Sequence, residues 1–107
     1  MNRALHSGEI DDARPRAIAA EVARLARALL GDATQVIWFG SWPQGKALAH
    51  SDIDVAVSTG APIPLERLAV LHDAIDEIAT LYEIDLLDLS AAGPLLRAEI
   101  LKHGEWL

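Results

Sequence analysis

Ile18, Val22, Leu25 and Leu29 recur every three or four residues, a spacing that lines one face of a helix. Asp11 and Asp12 ahead of Pro15 mark its start, with acids at the positive end of the dipole. Gly31 is its stop. Gln35 to Phe39 is an unbroken β-branched and aromatic run, which reads as a buried strand closed by Gly40. Residues 41–50 read as a turn with room for a short helix. Ile53, Val55 and Val57 then alternate with Asp52, Asp54 and Ala56, so a second strand has an apolar face and an acidic one. Residues 58–64 form a loop. Residues 65–81 follow as a helix, with Leu68, Leu71, Ile75 and Ile78 on one stripe. Residues 83–89 make a third strand, 90–94 a turn, and 95–103 a last helix stopped by Gly104. Residues 1–10 read as a loose terminus. The order helix, strand, turn, strand, helix, strand, helix predicts an α/β (α+β) fold, a short mixed sheet flanked by helices. No repeat, linker or low-complexity tract divides the chain, so residues 1–107 are expected to form one domain.

The acidic face of the second strand carries the first candidate chemistry. Asp52 and Asp54 have the same parity and point the same way. Two adjacent carboxylates repel by roughly 3–4 kcal/mol at an effective dielectric near 20. A hard divalent cation with oxygen ligands offsets such repulsion. Just upstream, Gly40-Ser41-Trp42-Pro43-Gln44-Gly45 forms a turn able to hold phosphate. Asp85 lies in the third strand between Ile84 and Leu86, where an unpaired charge is costly. If the third strand lies beside the second, Asp85 converges on Asp52 and Asp54. Asp88 has the opposite parity and is expected to cap the strand end or face solvent.

Charge and composition narrow the function classes. The 107 residues include nine Lys and Arg against sixteen Asp and Glu, a net charge of −7. No basic run is available to neutralise a nucleic-acid backbone, so stable nucleic-acid binding is not expected. The absence of cysteine excludes disulfides and thiolate metal sites. No secretory signal pattern and no apolar run near the roughly 20 residues of a membrane span occur. A cytoplasmic protein is the expectation.

The compound pattern of Gly40, Ser41, Gly45, Ser51, Asp52, Asp54 and Asp85 resembles the nucleotidyltransferase superfamily typified by DNA polymerase beta. In particular it resembles the minimal nucleotidyltransferase (MNT) branch, whose members are often encoded beside HEPN-domain partners. The resemblance covers roughly residues 15–105. It implies the minimal nucleotidyltransferase fold, and Asp52, Asp54 and Asp85 as catalytic ligands of one or two Mg²⁺ ions. It also implies a phosphate grip by Ser41 and the backbone of the Gly40 to Gly45 turn, with Ser51 shaping the start of the next strand. The implied reaction moves AMP from ATP to a tyrosine hydroxyl of a HEPN-type toxin, which makes the chain an antitoxin. Many relatives carry arginine in the turn, where this chain has Trp42 and Gln44; Lys46, just beyond, is the available cation. Larger members add a second domain, so here a partner protein would supply the acceptor. The alternatives are an antitoxin that neutralises by binding alone, and a transferase for a small hydroxylated molecule.

Other polar and aromatic residues have plainer readings. His50 reads as a loop residue, His72 as a helix-face residue, and His6 and His103 as residues near the ends. Trp38 reads as core. Trp42 could stack on a base or pack on its own turn. Tyr82 reads as structural, Trp106 as core cover or partner surface. Leu95 and Leu96 suit either the core or a partner.

Overall fold

The computed structural model describes residues 11–107; the loose terminus expected over residues 1–10 lies outside them. The first apolar stripe forms helix α1, Ala13–Leu30, which buries Ile18, Ala19, Val22, Ala23, Ala26 and Leu30. Asp11 Oδ1 accepts the Ala13 N–H at 3.0 Å, satisfying one donor of the first turn. Gly31 ends the helix at φ +119°, a backbone conformation suited to glycine. The first two strands are β1, Gln35–Phe39, and β2, Ile53–Ser58. Residues 41–50 form turns with no helix. Helix α2 spans Leu65–Asp76, β3 spans Ile84–Asp88, α3 spans Pro94–His103, and β4 spans Glu105–Trp106. A single 3₁₀ turn, Leu89–Ala91, links β3 to α3.

The sheet order is β3-β2-β1-β4. β1 pairs antiparallel with β2 and with β4, while β2 and β3 run parallel. The mixed sheet and flanking helices agree with the α/β fold expected from the sequence. One face is closed by α1 and α2. There Val36 and Trp38 of β1 and Ile53, Val55 and Val57 of β2 join Leu71 and Ile75 of α2 in the main core. On the other face Ile37, Ala56, Leu89 and Ile100 of α3 form a smaller cluster, with Phe39 and Leu87 packed against it.

Three sequence expectations change. The helical stripe runs through Ile78, yet α2 stops at Asp76 with Glu77 as its C-cap. Its last turn carries Asp73 and Asp76 and no basic residue, an unfavourable match to the negative end of the helix dipole. Ile78 still packs on the main core from beyond the helix. The face of β2 expected to be acidic is acidic only at its start, because Ala56 is buried in the smaller cluster, where the 3₁₀ turn carrying Leu89 packs on β2. The fourth strand was not expected. Glu105 and Trp106 pair with Trp38 and Ile37, and the Leu107 N–H donates to the Val36 carbonyl at 2.9 Å. Arg16 fastens this edge to α1 by ion pairs to Glu105 and Asp12, and its guanidinium lies 5.1 Å from the Trp38 ring centroid.

Candidate active site

The open part of the second sheet face holds the acids. Parallel pairing of β2 and β3 sets Asp54 directly beside Asp85, on strands spaced about 4.8 Å apart. Antiparallel pairing with β1 sets Phe39 on the other flank of Asp54. Gly40 follows at φ +87°, and a Cβ added there would run into Asp54 Oδ2. The glycine is therefore required twice, by its backbone angle and by the carboxylate lying over it. The Gly-Ser turn and the acid pair are thus in direct contact. Gly45 closes the turn at φ +71°, its N–H donating to the Trp42 carbonyl at 3.1 Å and the Lys46 N–H to the Ser41 carbonyl at 2.9 Å.

Partial burial pushes the Asp54 carboxyl up to a pKa of about 6 from an ordinary 3.8. The negative charge of Asp85, a carboxyl–carboxyl hydrogen bond to it, and the charge of Asp52 reinforce the shift. Two carboxyls this close favour a proton or a cation between them. Asp52 precedes β2 and is exposed. Among the described residues no group of three or more metal-ligating side chains is drawn together. The arrangement is a close pair, Asp54 and Asp85, with Asp52 as a more distant neighbour. All three donors are carboxylate oxygens. Such a set of hard oxygen donors fits a divalent cation.

The remaining residues singled out by the sequence divide between turn and scaffold. Ser41 is partly buried in the turn, and Lys46 is exposed just beyond it. The Gln44 amide folds back to donate to the Gly40 carbonyl at 3.3 Å, so it braces the turn. Ser51 Oγ accepts the Leu48 N–H at 2.8 Å, shaping the approach to β2. Trp42 is buried in the main core, its ring edge-on to Tyr82; its indole N–H donates to the Ser51 carbonyl at 2.9 Å. Asp88 is buried and caps the strand end, accepting the Ile63 N–H at 3.0 Å and the Ser90 N–H at 3.0 Å. His50, His72 and His103 are exposed; His6 lies outside the described residues. Phe39 is the site neighbour that sequence reasoning missed. Its signal was its place before Gly40, which becomes informative only once β1 and β2 are paired.

Comparison with known proteins fixes the family. A family profile, polymerase beta nucleotidyltransferase, matches residues 30–107, which takes in β1, the turn and all three acids. The chain belongs to the polymerase beta nucleotidyltransferase family. Comparison with curated proteins finds no significant match. Among solved structures, a toxin–antitoxin complex with AMP-PNP is similar at 26% identity and a TM-score of 0.61, over 82% of this chain and 70% of that one. A minimal nucleotidyltransferase is similar at 26% identity and a TM-score of 0.58, over 89% of this chain and 90% of that one. An MNT antitoxin in complex with a tri-AMPylated HEPN toxin of Shewanella oneidensis shares the fold at 22% identity and a TM-score of 0.57, over 86% of this chain and 70% of that one. Among the described residues, no helix is long and apolar enough to cross a membrane.

Proposed function

We propose that this nucleotidyltransferase transfers AMP from ATP to a tyrosine hydroxyl of a HEPN-type toxin and acts as its antitoxin in the cytoplasm. The observation that carries the reading is the contact between the Gly-Ser turn and the paired acids, Asp54 against Gly40 and Asp85 beside Asp54. On this reading the turn is a phosphate grip beside a site that needs positive charge. Family membership supports transfer of a nucleotide. The toxin–antitoxin neighbour holding AMP-PNP supports ATP and a toxin partner.

Asp52, Asp54 and Asp85 would hold Mg²⁺, which supplies charge neutralisation at the phosphates when bound. Ser41 and the turn backbone hold the β- and γ-phosphates, with Lys46 at the rim. The acceptor oxygen attacks the α-phosphorus as the bond to the bridging oxygen breaks, and pyrophosphate leaves. Asp85, exposed at the β3 edge, receives the acceptor proton. The turn and the acids act by holding attacking and leaving groups in line.

The test is intact-mass spectrometry of the neighbouring-gene product incubated with this protein, ATP and Mg²⁺. A mass gain of whole AMP units, lost in an Asp52→Asn/Asp54→Asn variant, is the expected result. A stable complex with no mass gain would overturn the transfer reading in favour of neutralisation by binding. That second reading draws on Leu95 and Leu96 of α3, which are 86% and 45% exposed and so are not explained by core packing.

A further inference from the structure

Trp42 links the three segments carrying the proposed site. It sits in the Gly-Ser turn and is 5% exposed. Its indole N–H donates to the carbonyl of Ser51 at 2.9 Å, the residue before Asp52. Its ring meets Tyr82 edge-on, with centroids 6.1 Å apart and planes at 79°, a favourable aromatic geometry. Tyr82 leads into Glu83, whose carbonyl accepts the Ile53 N–H at 2.9 Å, and then into Asp85 three residues on. Ser51 is itself tied to the turn's far arm, accepting from Leu48 through Oγ and donating its own N–H to the Leu48 carbonyl at 3.1 Å.

We propose that Trp42 is a positioning residue: it clamps the phosphate-holding turn to the starts of β2 and β3, setting the distance from the turn to Asp52, Asp54 and Asp85. The inference rests on the nucleotidyltransferase reading, since it assigns a task within that site. The physical case is one of reach. Apart from the Leu48–Ser51 bonds at its far arm, the turn is held by its own local hydrogen bonds, from Gly45 to Trp42, Lys46 to Ser41 and Gln44 to Gly40. Those bonds set its internal shape and leave its tilt against the strands to other contacts. Trp42 supplies a directional bond to the β2 side and a packed face to the β3 side. A misplacement near 1 Å between grip and acids costs on the order of a hundredfold in rate, so a fixed tilt matters to this chemistry.

Trp38 provides the internal control. It is also buried, but it faces α1 in the main core and its Nε1 makes no hydrogen bond among the described residues. Trp42→Phe keeps an aromatic ring against Tyr82 and removes the bond to Ser51 together with part of the ring volume. Trp38→Phe makes the same chemical change where no such bond exists. Both variants are compared with the wild type by amide hydrogen exchange, and by calorimetric binding of AMP-PNP with Mg²⁺. In Trp42→Phe, exchange across residues 40–52 should quicken at least tenfold and AMP-PNP affinity should fall at least fivefold, while β1 and α1 keep their protection. Trp38→Phe should leave both turn exchange and affinity within twofold of wild type, whatever its melting temperature. The inference is overturned if Trp42→Phe retains turn protection and affinity, or if Trp38→Phe loses both equally. If the wild type itself does not bind AMP-PNP, the nucleotide reading fails; exchange alone then decides whether Trp42 clamps the turn.

Discussion

The two faces of β2 share one backbone and carry opposite tasks. Ile53, Val55 and Val57 point into the core beneath α1 and α2, each fully buried. Asp54 and Ala56 point the other way. Ala56 is closed over in the cluster with Leu89 and Ile100, and Asp54 is left at the uncovered end beside Asp85. The strand alternation alone separates scaffold from site. The difference between Ala56 and Asp54, two residues apart on one face, comes from where the cover by the Leu89–Ala91 turn and its cluster ends. The closed face gains by excluding water. The open end accepts partly desolvated, mutually repelling carboxylates, an arrangement that spends stability on function.

The comparison breaks most completely if charge is moved to the closed face. Val55→Asp would bury an unpaired carboxylate, a cost of several kcal/mol against a total stability of about 5–15 kcal/mol for a domain. Loss of cooperative thermal unfolding by circular dichroism is the expected outcome. Neutralising the open face should do the reverse. Asp54→Asn is expected to cut AMP transfer by about a hundredfold to a thousandfold, read by the mass assay, while the melting temperature holds or rises.

A pH series sharpens the same contrast. The Asp54 pKa is raised, so between its ordinary 3.8 and about 6 the folded protein binds more protons than the unfolded chain. The metal-free protein should therefore lose stability as pH climbs through that window and level off above it. Asp54→Asn should flatten that part of the profile. Added Mg²⁺ should raise the melting temperature more at pH 7.5 than at pH 5, because protons and cation compete for the pair. Differential scanning fluorimetry checks both. The smallest effect belongs to the outer surface of α3: Leu95→Ser, at a residue 86% exposed, should shift urea unfolding by less than about 0.5 kcal/mol. A weakened complex with the proposed toxin partner in that variant would assign this surface to binding.

Local order was readable from the chain because its signals are local. The stripe of Ile18 and Val22, the run from Gln35 to Phe39 and the alternation around Val55 each state their own period. The Gly-Ser turn and the three acids are legible as a spaced motif. The stop of α2 was not, because its apolar stripe runs on to Ile78 while the end of the helix is set by charge at its last turn and by the return to β3. A two-residue strand such as Glu105 and Trp106 has no period to read; β1 defines it by pairing.

By itself, then, the sequence determined which residues could be chemical and which face of each strand they occupy. Which of them meet was decided by tertiary structure. Asp85 reaches Asp54 only through the parallel register of strands separated by α2, and Gly40 meets the Asp54 carboxylate only once β1 folds back along β2. Register across a sheet is a long-range property, fixed when both faces find their cores. The same packing leaves Asp52 outside the close pair and turns Trp42 inward onto Ser51 and Tyr82, because burial of a large ring outweighs leaving it free above the turn.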